Sequence, residues 1–176
     1  MMHRLLSVAL LLGASTILFG QIPDFTPPTP LFAAVMRGDT AAVKQLMESG
    51  ANPDEGRFFG ASPLTFALGQ SHHDMTRVLV NAGADIAVAD ATGSTPLMWA
   101  AYNEEGDPGM VELLISKGAA IDAANKNGET ALTWAMRRGH TPVVKALRSH
   151  GASDRNMTMD AVQRAVNALQ KADRNS

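Results

Sequence analysis

The chain of 176 residues contains no cysteine. That absence excludes disulfides, thiol catalysis and cysteine-based zinc sites together. Aromatic residues are scarce, at 5% of the chain, so each ring needs a structural or functional reason. Charge of one sign is also lacking. A formal net charge of −2 removes the general attraction to polyanions that marks nucleic-acid-binding chains. Long apolar runs are missing beyond the N-terminus. The run that exists, Leu5 to Leu12 extended by Ile17-Leu18-Phe19, falls short of the about 20 residues that cross a bilayer. What is there instead is 45% hydrophobic content, enough for one domain with a continuous core.

The N-terminus stands apart. Arg4, with Met1 and His3, forms a short positive region ahead of the apolar run. This order predicts a secretory signal peptide over residues 1–20, cut after Gly20 or alternatively after Ser15. An uncleaved anchor is disfavoured by the length of the run. Pro23, Pro27, Pro28 and Pro30 make residues 21–29 an extended linker. The predicted location is therefore the periplasm or the cell exterior, where a chain without disulfides must be stabilised by packing.

The remaining chain repeats itself. Thr29-Pro30-Leu31, Ser62-Pro63-Leu64, Thr95-Pro96-Leu97 and Thr130-Ala131-Leu132 start at intervals of 33, 33 and 35 residues. The pairs Gly50-Ala51, Gly83-Ala84, Gly118-Ala119 and Gly151-Ala152 close each unit with the same period and the same two-residue excess. The hydroxyl of Thr95 can cap a helix, and Pro96 suits its first turn. Leu97, Ala100 and Ala101 give that helix one apolar face. A second helix is predicted over Met110 to Lys117 and stopped by Gly118, which adopts a left-handed conformation without steric cost. The first unit predicts helices near Pro30–Arg37 and Thr40–Glu48.

A period of 33 residues opening on Thr-Pro-Leu resembles the ankyrin-repeat family over about residues 29 to 154. The resemblance implies an all-α repeat solenoid, with helix–turn–helix repeats joined by β-hairpin-like fingers. It places four repeats over residues 30–154. Residues 155–176, with apolar Ala161, Val162, Ala165, Val166, Ala168 and Leu169, form a C-terminal capping helix. Phe32 is expected to cover the outer side of the first repeat. The extra two residues of the third repeat lie between Ala101 and Met110, making Glu104-Glu105-Gly106-Asp107-Pro108-Gly109 a long inter-helix loop.

Chemistry-bearing clusters are few. Ser71-His72-His73-Asp74 has hydrolase residue types, but neighbours in a turn diverge, whereas a triad converges from separate segments. His72 aligns with His140 at the inter-helix histidine of the family, where it would bond backbone. Met157 and Met159 are read as core fillers rather than copper ligands. Glu104, Glu105 and Asp107 supply too few oxygens for calcium. No catalytic residue, no metal ligand and no cofactor are predicted.

The predicted function is that of a non-enzymatic protein–protein interaction module, a monomer with no nucleic-acid partner and no membrane contact beyond the signal peptide. The family grips partners with finger tips and the concave surface of the first helices. Carried onto this chain, those positions are Phe58, Phe59, Ala91, Thr92, Lys126 and Asn127 on fingers. On the concave side they are Gln70, Tyr102, Asn103, Arg137 and Arg138. Phe58 and Phe59 are either anchors at an exposed tip or rings of which one folds back onto the first helices. Trp99 and Trp134 are expected in the core. Alternatives are an inhibitor or immunity protein for a periplasmic toxin or enzyme, and a helper of a periplasmic oxidative-stress enzyme. A metal-handling or hydrolytic role is a further one. Charge is uneven: from Gln21 to Met136 six Lys/Arg face fourteen Asp/Glu, net −8, and from Arg137 onward eight face three, net +5.

Overall fold

The structure, a computed structural model, describes residues 29–58, 60–103 and 107–153. The predicted signal peptide, the linker before Thr29 and the C-terminal helix lie outside the described residues. So do Phe59, Glu104, Glu105, Met157 and Met159.

Among the described residues the chain forms eight helices in four pairs and no strand beyond one isolated bridge. The pairs are α1 (Pro30–Met36) with α2 (Thr40–Glu48), and α3 (Pro63–Gly69) with α4 (His73–Asn81). They continue with α5 (Pro96–Tyr102) and α6 (Pro108–Ser116), then α7 (Ala131–Arg138) and α8 (Thr141–Ser149). Helices this short are marginal alone in water, so packing must hold them. This is an all-α repeat architecture.

The repeated hydroxyls start the first helix of every pair. Thr29, Ser62, Thr95 and Thr130 accept from the backbone N–H of Phe32, Thr65, Met98 and Thr133 at 3.1, 3.2, 3.4 and 3.2 Å. Where Ala131 replaces proline, Thr133 answers Thr130 in a reciprocal capping box. The second helices start on Asp39, His72, Asp107 and His140. The predicted start of the sixth helix at Met110 was two residues late. Asp107 accepts from the Gly109 N–H at 2.8 Å and Pro108 opens the helix, an Asp-Pro start signal hidden inside the acidic insertion.

Two compact units divide at Asp85 and Ile86. In the first unit α1 packs on α2 and α3, and α4 packs on α2 and α3. Leu31, Phe32, Val43, Leu64, Leu68, Met75 and Leu79 are fully buried there. The Phe32 ring meets Phe66 edge-on at 5.5 Å and Phe58 at 6.1 Å. It is thus built into the contact with the following repeat and its finger, which corrects its expected role on the outer side. In the second unit α5 packs on α6 and α7, and α8 on α6 and α7. Leu97, Met98, Met110, Leu114, Leu132 and Leu147 fill that core.

Carboxylates tie successive repeats within each unit. The Asp85 N–H donates to Asp54 at 3.0 and 3.1 Å in the first. Ser153 donates its N–H and its hydroxyl to Asp122 at 2.9 and 2.8 Å in the second. One inter-helix turn is strained. Ser71 has φ of +57°, at a position where the equivalent Gly38 and Gly139 have +69° and +74°. A side chain costs free energy there that glycine does not.

Candidate functional site

The fingers are built differently in the two units. In the second unit Asp90 organises its own turn. Its Oδ1 accepts from the N–H of Thr92 at 2.8 Å, the Thr92 hydroxyl at 2.6 Å and the Ser94 N–H at 3.0 Å. Asn125 repeats the device, accepting from the N–H of Asn127 at 2.9 Å and of Glu129 at 3.0 Å. A short polar side chain that bonds its own backbone two residues on is what fixes such a turn. The closing backbone bonds run from Asp90 N–H to Ser94 and from Asn125 N–H to Glu129.

The first finger has Arg57 at that position, which carries no acceptor. Its pairing shifts by one residue, so that Phe58 and Ala61 exchange backbone bonds at 3.0 Å. Phe58 is consequently half-buried against Phe32 instead of lying at the tip with Ala91. The expectation of an exposed Phe58 is corrected on this point.

The α5–α7 face of the second unit and its two fingers together carry most of the predicted residues. Trp99 and Trp134 meet edge-to-face at 5.4 Å, and Tyr102 packs edge-on against both, at 6.3 and 5.2 Å. Trp134 is 7% exposed, while Trp99 and Tyr102 are half-buried. An indole N–H taken from water needs an acceptor. Trp99 Nε1 donates to Asp90 Oδ2 at 2.9 Å, and Trp134 Nε1 donates to Glu129 Oε2 at 3.0 Å. Glu129 also accepts from Asn125 Nδ2 at 3.1 Å and from Arg137 Nη1 at 2.6 Å. The carboxylate is 7% exposed and the guanidinium 35%. A buried charge is tolerable when it is paired and hydrogen-bonded in this way.

Arg137 is therefore no independent binding group. It holds Glu129 and also lies 5.8 Å from the Tyr102 ring centre and 5.7 Å from that of Trp134. Arg138 is exposed and sits 4.7 Å over the Tyr102 ring. Lys126 is exposed, and its Nζ donates to the Ala91 carbonyl at 2.7 Å, lacing the second and third fingers together. Ala91, Thr92 and Asn127 are exposed on those fingers. Asn103, predicted to face a groove, is 4% exposed and corrects that expectation. It ends α5. Gln70 is half-buried at the end of α3, in the first unit.

Burial holds the His140 imidazole below the ordinary histidine range. The nearby Arg138 charge adds to this, and the nearby backbone of Asn103 and Tyr102 opposes it. His72 is lowered by burial and then by His73. Its ring lies against Gly38, where an added Cβ would meet it at 3.2 Å. The buried Nε2 of His140 has no hydrogen-bond partner among the described residues, so the predicted backbone bond of the inter-helix histidine is not seen there. Glu129 was missed in the sequence; a glutamate just before the Thr130 cap, with Trp134 five residues on, was the available signal.

Four helix pairs with this capping and turn chemistry define a helical repeat protein. A family profile described as "Ankyrin repeats (3 copies)" matches residues 8–90, 31–125 and 97–173. The chain belongs to the ankyrin-repeat family. It is similar to the ankyrin repeat-containing protein P1E11.10 of Schizosaccharomyces pombe, at 33% identity over 67 residues, 38% of this chain and 32% of that one. It is similar to the potassium channel KOR1 of Oryza sativa subsp. japonica, at 36% over 67 residues, 38% of this chain and 8% of the channel. A longer match, 29% over 142 residues, covers 79% of this chain. It covers 30% of the ankyrin repeat, SAM and basic leucine zipper domain-containing protein 1 of Dasypus novemcinctus. In each case the aligned stretch is a minor part of the relative. Repeats of one architecture thus occur in proteins of different kinds, and the shared part is a protein–protein interaction module of a typically non-enzymatic family.

Proposed function

We propose that this chain is an exported adaptor, of the periplasmic bacterial type, that grips a protein partner through the α5–α7 face and the second and third fingers. The contact set is Ala91, Thr92, Tyr102, Lys126, Asn127 and Arg138, with Arg137 ordering it through Glu129. The observation that carries this reading is Arg138 held over Tyr102 at the surface, beside a half-buried Trp99. Aromatic and arginine side chains in a supported patch are the usual anchors of protein interfaces. Export is supported by Arg4 and the apolar run from Leu5 to Leu12. On this reading residues 1–20 are removed, residues 21–29 link, four repeats follow and residues 155–176 cap the array.

The experiment is isolation of the chain from the exported fraction with its bound proteins. The expected N-terminus lies near Gln21 or Thr16, and the wild type carries a stoichiometric protein. The variant Lys126→Ala with Arg138→Ala, both exposed, keeps its melting temperature within a few degrees and loses that protein. Retention of the partner by the double variant moves the site elsewhere. An intact Met1 on membrane-bound material replaces export with anchoring.

A further inference from the structure

We infer that the α5–α7 face receives an acidic segment of the partner, with Arg138 as the residue that reads a carboxylate. This rests on the docking reading of the same face and specifies its chemistry. Among the described residues the carboxylates bonded to the rings of this face are Asp90 and Glu129, and both are spoken for. Asp90 takes the Trp99 indole on one oxygen and three turn donors on the other. Glu129 takes the Trp134 indole and Asn125 on one oxygen and Arg137 on the other.

The donors are in excess. Arg138 contacts the Tyr102 ring face and has no carboxylate partner among the described residues. Lys126 uses its ammonium on one carbonyl and remains exposed. A guanidinium held against a ring has lost much of its rotamer freedom while its N–H edge stays open, and that edge matches a carboxylate in two parallel bonds. Stacking on Tyr102 therefore prepays part of the ordering cost of binding. The half-buried Tyr102 and Trp99 rings add apolar surface for a neighbouring aliphatic side chain. A polyphosphate backbone is the weaker fit, because it needs a row of cationic groups and Arg137 is already neutralised.

The test selects a displayed library of random dodecapeptides on the full chain. Binding is then followed by the fluorescence of Trp99 and Trp134, the two tryptophans of the sequence. Selected peptides are expected to carry Asp and Glu about threefold more often than Lys and Arg, as charge complementarity requires. Replacing Glu by Gln in a selected peptide should weaken binding about tenfold, and Arg138→Gln should do the same to the parent peptide. Arg138→Lys should fall between. Should Arg138→Gln unfold, the Glu-to-Gln peptide on wild-type protein makes the same comparison. Peptides that bind with the tryptophan signal but lack carboxylates would overturn the acidic segment and leave the docking face standing. A library from which nothing is selected would overturn both. A DNA duplex that binds more tightly than any selected peptide would replace the acidic segment by phosphate.

Discussion

The first finger and the two later ones occupy the same place in their repeats and are held by opposite chemistry. Phe66, Trp99 and Trp134 are each the fourth residue after the capping hydroxyl of their helix. Phe66 has no polar handle, and its finger offers Arg57 and Ala61 where the later ones offer Asp90 or Asn125, and Ser94 or Glu129. The result is a phenyl cluster of Phe32, Phe58 and Phe66. In the second unit each indole N–H is matched by a carboxylate from the finger before it. The aromatic type and the finger residue change together, because a buried N–H without an acceptor costs about 1–3 kcal/mol. One finger is closed by the Phe58–Ala61 backbone pair and by apolar packing of Phe58. The others are closed by polar bonds whose outer donors remain accessible.

The largest effect expected from breaking this comparison is at Trp134. Trp134→Ala should cost about 3–5 kcal/mol in urea unfolding, since it removes a buried ring and strands part of Glu129. A near-wild-type midpoint would show an exposed indole. Glu129→Ala leaves the indole, Asn125 and Arg137 without their shared acceptor and should cost about 2–3 kcal/mol. Glu129→Gln, which keeps an acceptor, should cost less. In the first unit Phe58→Ser should lower stability by about 1–3 kcal/mol, because the ring is half-buried. Ala91→Ser, at the aligned position of the second finger, should change nothing measurable. Equal effects at both sites would contradict the shifted pairing.

The two inter-helix histidines extend the comparison to pH. Both have folded-state values below that of the unfolded chain. The unfolded state thus binds more protons than the native one as pH falls below about 6.5. Stability contributed by the neutral rings is present above that pH and is lost as pH falls towards the lowered values. His140→Asn should flatten part of this slope, and urea midpoints from pH 7.5 to 5 measure it. The smallest effect is at Ser71, where glycine should relieve the positive φ and raise stability by about 0.5–1 kcal/mol.

Much of the scaffold was readable because its signals are local. Capping hydroxyls, prolines and closing glycines act within a few residues, and α2 runs over Thr40–Glu48 as expected. The start of α6 was missed because acidic residues around Asp107 drew attention from its pairing with Pro108. The site was less legible because its logic is not local. The freedom of Arg137 depends on Glu129, eight residues away. The burial of Asn103 depends on how α5 ends, and the inward turn of Phe58 depends on what Arg57 cannot accept. Arg57 in place of Asp is visible in the sequence, but the shift of pairing to Phe58 and Ala61 depends on packing against Phe32, which is not local.

The most direct test of the docking face is amide hydrogen exchange on the chain with and without its co-isolated partner. The account predicts added protection on the second and third fingers, at Ala91, Thr92, Lys126 and Asn127, and at the α5 and α7 ends around Tyr102 and Arg138. Protection confined to α2 and α4, with these positions unchanged, would contradict it.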